Sequence, residues 1–426
     1  MNYKPRIADE ILDLKLESFG ATLIIGPKGC GKTTTAKQKA KSIIEMQDED
    51  LRDQYLEVAE IRPSNLLIGE KPILIDEWQD APKLWGAVRK SVDDEGESGL
   101  YILAGSTSKK VEVPHTGTMR ISTMKMYPMT LFESGESNGE VSLERLFNEM
   151  GDISAKSELT MESLTFAICR GGWPSALNNK TPRSQLEVAK DLFRQICEKD
   201  ISSIDGVKRD SFLARGILKS YSRNLCTLAK MKTICDDVMS DGNPASSKTV
   251  GKYVDALERL FIIEDIDAWN PAIRSKTSMR SGVKRNLIDP SIAVAALGLS
   301  PDYFLTDFRT LGFLFECLCI RDLRVYSSKM NGYISYYQDR FGLEADAVLH
   351  LEDGRYALIE FKLGANEIDK GAEHLCKIER LIKEAANPGD QNPLSPPDLK
   401  IVITGTEYAY RRDDGVYVIP IGCLRD

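Results

Sequence analysis

The sequence predicts an α/β chain in three parts: a parallel sheet built on a phosphate-binding loop, a helical and winged-helix connector, and a second α/β unit. Three observations carry this. Residues Gly26-Pro27-Lys28-Gly29-Cys30-Gly31-Lys32-Thr33 spell GxxxxGK[ST] between an apolar strand and a helix. Strand-like and helical runs alternate through residue 135, which is the pattern of a parallel sheet with helices on both faces. Past residue 310 the order changes to helix, three strands, helix, strand. The boundaries expected on these grounds are 1–135, 136–225, 226–286 and 287–426.

Ala21 to Ile25 (ATLII) reads as a buried strand, and the run from Thr34 (TTAKQKAKSII) reads as a helix. Glycines at this junction let backbone N–H groups turn inward around phosphate oxygens, beside the partial positive charge of a helix N-terminus. Gly26, Pro27, Lys28, Gly29, Cys30, Gly31, Lys32, Thr33 and Thr34 are therefore the expected nucleotide contacts. Lys32 would reach the β- and γ-phosphates and Thr33 would hold Mg²⁺, making ATP and Mg²⁺ the expected cofactors. Nothing in the chain reads the base, so GTP is the other candidate. A Gly-rich turn of purely structural use is the plainer alternative, and the flanking strand and helix weigh against it.

Ile73-Leu74-Ile75-Asp76-Glu77 is an apolar run ending in two carboxylates. Asp76 is the expected Mg²⁺ residue and Glu77 the expected general base toward an attacking water. Lys83 to Asp94 carries Leu84, Trp85, Val88 and Val92 at helical spacing. Leu100 to Ala104 is another buried strand, closing on Gly105-Ser106-Thr107. Ser106 is a candidate sensor of the γ-phosphate or the water, with a simple turn serine as the alternative. Arg120 to Met126 alternates like a strand, and Glu133 to Glu140 (ESGESNGE) reads as a mobile surface loop.

A chain of 426 residues is expected to hold two or three domains. Hydrophobic content of 42% and charged content of 28% describe an ordinary globular protein with ample core. No apolar run approaches the roughly 18 residues of a membrane span, and the N-terminus lacks a signal-peptide core, so the expected location is the cytoplasm without membrane contact. Nine cysteines without a CxxC pair point to reduced thiols. Three scattered histidines give little support to a His-based metal or triad site. A net charge of −8 excludes a general cationic coat, though not a local basic patch.

The loop GPKGCGKT, the run ILIDEWQDAPKLWGAVRKSVDD, the strand end LAGSTS, the segment RISTMKMYPMTLFE and the later RGGWPSAL together resemble prokaryotic AAA-type ATPases with a characteristic C-terminal domain of unknown function. The resemblance covers nearly the whole chain and is weakest between Ser134 and Thr160. It implies an ATPase core. It also implies a homo-oligomer, since AAA-type machines often complete a site with a neighbouring subunit's arginine. Arg89, Arg120 and Arg170 are the candidates, with Arg120 placed among the catalytic residues. Family members show Gly-Arg after the sensor loop where this chain has Thr118-Met119-Arg120.

The middle of the chain reads as helical over Leu186 to Ile196 and Phe212 to Leu225. Met231 to Met239 and Ser247 to Phe261 then read as helix–turn–helix, with Ser247 as the cap and Ile262 to Trp269 as a wing strand. Lys248, Lys252 and Arg259 lie along one side of the second helix. Asn270 to Asn286 holds Arg274, Lys276, Arg280, Lys284 and Arg285 with no acid, which suits contacts to nucleic-acid phosphates. A solvated basic loop is the alternative.

In the last third, Leu311 to Val325 reads as a buried helix bearing Glu316, and Glu344 to Leu351 with Arg355 to Leu363 as a hairpin. This order resembles the restriction-endonuclease-like fold, and Asp346 with Glu360-Phe361-Lys362 resembles its Asp…(Asp/Glu)-x-Lys signature. The chemistry implied is a divalent ion on Asp346 and Glu360, with Lys362 positioning water or steadying charge. A three-residue Glu352-Asp353-Gly354 turn sets Asp346 directly against Glu360, whereas a two-residue turn would place them on opposite faces. The three-residue turn is the expectation. Two functional readings follow. One is an ATP-driven enzyme acting on nucleic acid, DNA before RNA. The other is a nucleotide-dependent switch or scaffold for a protein partner, its nuclease fold silent.

Overall fold

A computed structural model describes residues 3–105, 117–240, 242, 245–269, 282–339, 342–385 and 395–426. Ser106, Arg274, Lys276 and Arg280 lie outside the described residues. The chain forms two compact units. The first comprises residues 1–128, 198–210 and 254–262, and the second 129–197, 211–253 and 263–426.

In the first unit five short apolar runs become parallel strands: β1 (Ala21–Ile25), β2 (Ser42–Glu45), β3 (Ile73–Asp76), β4 (Tyr101–Ala104) and β5 (Ile121–Lys125). Their order is β2-β3-β4-β1-β5. Central strands of a parallel sheet are covered on both faces, which is why ILI and YILA carry no alternation. The helix Lys83–Glu95 buries Leu84, Trp85, Val88 and Val92, as their spacing predicts. The helix expected from Thr34 ends at Lys37, and Ser42–Glu45 is instead an edge strand paired with β3. Ile43 is exposed and Ile44 buried, so these β-branched residues follow a period of two.

The second unit holds the short strands β6 (Val141–Ser142) and β7 (Ser154–Lys156), then β8 (Tyr333–Gln338), β9 (Glu344–His350), β10 (Tyr356–Lys362), β11 (Leu399–Thr404), β12 (Tyr408–Arg411), β13 (Tyr417–Pro420) and β14 (Leu424–Arg425). A seven-stranded mixed sheet runs β7-β12-β13-β11-β10-β9-β8, and β14 pairs with β6. The helix Ile368–Ala385 covers one face, where Leu375, Ile378 and Ile382 meet Val348, Leu358 and Val402. Five strands beyond the expected set therefore join this unit: β7, β12 and β13 in the sheet, and the pair β6 and β14.

The stretch expected as a mobile loop is tied down. Ser137 donates to the Leu424 carbonyl at 2.7 Å, the Asn138 N–H reaches the Gly422 carbonyl at 2.9 Å, and Glu136 pairs with Arg170. Arg170 is buried in that pair, so it is no free arginine for a neighbouring subunit. Its polarity reflects buried backbone partners rather than solvent.

The Gly171-Gly172-Trp173-Pro174 element and the turn at 128–133 meet one buried ionic hub. The Arg321 guanidinium lies 2.7 Å from Asp289 and 2.7 Å from Asp322. Asp289 also accepts from the Gly172 N–H at 3.0 Å, and Asp322 from the Leu131 N–H at 3.0 Å. These motifs are architectural: they join two loops to the helix Phe308–Tyr326.

Helices Met231–Ser240 and Ser247–Arg259 follow as expected, although Ser246 rather than Ser247 accepts the capping bond from the Thr249 N–H, at 3.2 Å. After them, Ile263 bridges Leu287 and Ile266 bridges Lys284, both antiparallel.

Candidate nucleotide site and the C-terminal ion cluster

Strand β1 delivers the loop 26–31 to the C-terminal edge of the first sheet. The register pairs Ile24 with Ala104 and Ala104 with Asp76, so β1 with its loop, β4 and the acidic end of β3 meet at one edge. Gly26 has φ +150°, and a Cβ there would lie 2.3 Å from the Met126 carbonyl oxygen. Only glycine lets the two backbones approach so closely. Arg6, which the motif search missed, braces the loop from behind by donating to the carbonyls of Cys30 and Tyr127, each at 2.9 Å. No local motif marks it, because its partners are 24 and 121 residues away.

Lys32 is buried, and its ammonium donates to the carbonyls of Gly26 at 3.1 Å and Pro27 at 2.9 Å. Those bonds hold the cation at the mouth of the loop, where triphosphate oxygens would take their place. Thr33 Oγ1 lies 3.0 Å from each carboxylate oxygen of Asp76. Burial pushes the Asp76 carboxyl above its ordinary range, the Thr33 hydroxyl opposes this, and neighbouring Glu77 adds to it. A half-buried carboxylate carrying such a shift is poised to gain from a cation. Hydroxyl and carboxylate oxygens are also the donor set Mg²⁺ prefers, so the residues fit the ion.

Glu77 sits in the left-handed region at φ 52°, and its carboxylate accepts from the Gln79 amide. Gln79 is nine-tenths buried, and its Oε1 has no hydrogen-bond partner among the described residues. Gln79 is a second residue that functional reasoning passed over. Its signal lay in the Asp-Glu-Trp-Gln turn, read only as a family mark. Lys28 and Thr34 are exposed at the loop and at the start of the following helix. Arg120 does not reach the loop of its own unit: it precedes β5 at the opposite sheet edge and binds Asp93 at 2.7 Å. Arg89 pairs with the same carboxylate at 4.0 Å.

In the second unit the hairpin register pairs Tyr356 with His350 and Ile359 with Ala347, which continues to Glu360 against Asp346. The turn is Glu352-Asp353-Gly354, with Gly354 at φ +91°. Residues directly opposed share a sheet face. Lys362 Nζ lies 2.5 Å from Glu360 and 3.6 Å from Asp346. Asp346 Oδ2 also accepts from the Phe361 N–H at 2.9 Å.

The basic loop is a different matter. Lys284 and Arg285 are buried, against the expectation of free phosphate-binding cations. Lys284 Nζ lies 2.7 Å from Glu316 and 3.9 Å from Asp346, while Arg285 pairs with Asp265. Counting acids within the segment could not find these partners, because they come from other elements. Burial raises Glu316 to about 7 despite Lys284, and burial with Asp346 raises Glu360 to about 8. His374, 3.6 Å from Glu360, is held below its ordinary value first by burial and then by Lys362. Lys248 and Lys252 are exposed, one turn apart on their helix.

Residues 18–134 match the family model described as AAA domain. Residues 161–303 and 311–424 match two models described as Domain of unknown function, DUF8612 and DUF4143. An uncharacterised protein of Haemophilus influenzae is 22% identical over 347 residues, covering 81% of this chain and 73% of its own length. A Walker-type ATPase of Pyrococcus abyssi is 15% identical, with a TM-score of 0.42 over 68% of this chain and 94% of that one. A Thermotoga maritima RuvB variant is likewise 15% identical, with a TM-score of 0.25 over 61% and 86%. No helix among the described residues is long and apolar enough to cross a membrane. The first sheet with its phosphate loop thus lies within the match to the AAA domain model, and the C-terminal strands lie within the match to a domain of unknown function.

Proposed function

We propose that the chain is a cytoplasmic, Mg²⁺-dependent ATPase that couples hydrolysis to engagement of nucleic acid, DNA before RNA, by the helix pair at 231–259. One observation supports hydrolysis above all: Thr33 and Asp76 stand together at the mouth of a loop that already holds the Lys32 ammonium. When bound, Mg²⁺ would neutralise phosphate charge and orient the triphosphate. Lys32 would add its charge at the phosphates. Glu77, held by Gln79, would take a proton from the attacking water. Glu77→Gln is expected to retain ATP binding while turnover falls roughly 10²–10⁴-fold, the range for a lost general base. Equilibrium nucleotide binding and phosphate release, measured together, check it. Unchanged release would remove Glu77 from the mechanism.

The nucleic-acid reading rests on Lys248 and Lys252, two exposed cations on one helix face. Lys248→Ala/Lys252→Ala should weaken DNA binding about equally for all sequences. It should also reduce the slope of log affinity against log salt by roughly 2. A salt titration with fluorescent duplex DNA measures this, and an unaltered slope would exclude that helix. A homo-oligomer contributing an arginine to the neighbouring site is the assembly this reading favours. The second reading, a nucleotide-dependent scaffold for a protein partner, is favoured by one observation: the Asp346–Glu360 pair is flanked by two lysines.

A further inference from the structure

The restriction-endonuclease-like signature implies a divalent ion on Asp346 and Glu360, and the surroundings of these carboxylates argue against one. We infer that the Lys284 ammonium is the resident cation of this cluster, standing in the place of a metal and closing the carboxylates to divalent ions. The signature already supplies one lysine, Lys362, at 2.5 Å from Glu360. Lys284 is a second, arriving from a different part of the chain. Its Nζ contacts Glu316 at 2.7 Å, the Asp346 carbonyl at 3.2 Å and the Asp346 carboxylate at 3.9 Å.

Its position is built rather than incidental. Backbone bonds between Lys284 and Ile266, 2.9 Å in each direction, fix the stem, and both Lys284 and Glu316 are over nine-tenths buried. Asp346 is thereby bracketed, with Lys284 toward Oδ1 and Lys362 toward Oδ2. Three carboxylates facing two ammonium groups leave at most one negative charge. Adding a dication would make the buried cluster positive unless a lysine withdrew, and a buried uncompensated charge is strongly unfavourable. Among the described residues no group of three carboxylate, histidine or cysteine side chains is placed to hold a metal. The two acids of the signature and Glu316 thus serve as a clasp fastening the chain at 282–287 to the sheet, not as a hydrolytic centre.

The test is Mn²⁺ binding to the full chain without nucleotide, with free Mn²⁺ counted by electron paramagnetic resonance. Wild type and Glu360→Gln are expected to give the same isotherm. Lys284→Met, which removes the charge while keeping an apolar stem, should gain one site per chain at least about tenfold tighter than any in wild type. Lys284→Met/Glu360→Gln should lose it again. A wild-type site that Glu360→Gln weakens would overturn the inference, as would a folded Lys284→Met that gains nothing. Should Lys284→Met not fold, the comparison of wild type with Glu360→Gln decides alone.

Discussion

Lys32→Ala is expected to abolish useful ATP turnover while leaving the fold in place. The substitution removes the ammonium that bonds the loop carbonyls, and loss of a single preorganised electrostatic group costs roughly 10²–10³-fold in rate. The structural loss is smaller. The Lys32 ammonium satisfies the Gly26 and Pro27 carbonyls, at 3.1 and 2.9 Å, and solvent can replace it at the loop mouth. A stability change of about 1–3 kcal/mol follows from two hydrogen bonds of this kind. Phosphate release and thermal unfolding on the same preparation separate the two effects. Turnover within a few-fold of wild type would mean that the loop does not act on a triphosphate.

Arg321→Met should be the most destabilising substitution in the second unit, with no direct effect on the nucleotide site. Asp289 and Asp322 are fully buried and share this guanidinium. Removing it leaves two uncompensated carboxylates, at a cost of about 3–5 kcal/mol. At about 2–4 °C per kcal/mol, the unfolding midpoint should fall by roughly 10 °C. The deficit should shrink as pH drops from 7 toward 5. Burial already raises Asp322 to about 6, with Arg321 opposing, so losing the arginine raises it further. A carboxyl raised above its unfolded value stabilises at low pH and loses that stability as pH rises through the folded value. Arg321→Lys should recover little, since one ammonium cannot span both carboxylates as a planar fork does. Calorimetry at two pH values tests this, and a midpoint within 2 °C of wild type would show that the hub carries little of the stability.

Local patterns revealed the parts whose cause is local. The phosphate loop, its strand and Asp76 sit where the motif put them, because glycine conformations and an apolar strand end are properties of a few adjacent residues. The same holds for the hairpin at 344–362: turn length and a left-handed Gly354 determine the register, and the register aligns Asp346 with Glu360. Periodicity failed at Ser42–Glu45. Four residues are too few to separate a helix end from an edge strand, and pairing with β3 decided the matter. It failed again at Glu133 to Glu140, where polarity suggested solvent but served buried backbone groups.

The amino-acid sequence alone established a phosphate-binding loop, a strand-end acid able to serve a magnesium ion, and an opposed Asp–Glu pair on a hairpin. Each depends on neighbours in the chain or on one short turn. Tertiary structure alone decided the meaning of the charges. Lys284 and Arg285 look unopposed in sequence, yet their carboxylates arrive from a helix, a strand and the segment at Asp265, each at least 20 residues away. Arg120 follows the expected sensor segment in sequence but precedes β5 and pairs with Asp93. Whether a charge binds a ligand or closes on its own protein depends on which acid the fold brings within a few ångströms, and linear spacing does not encode that distance.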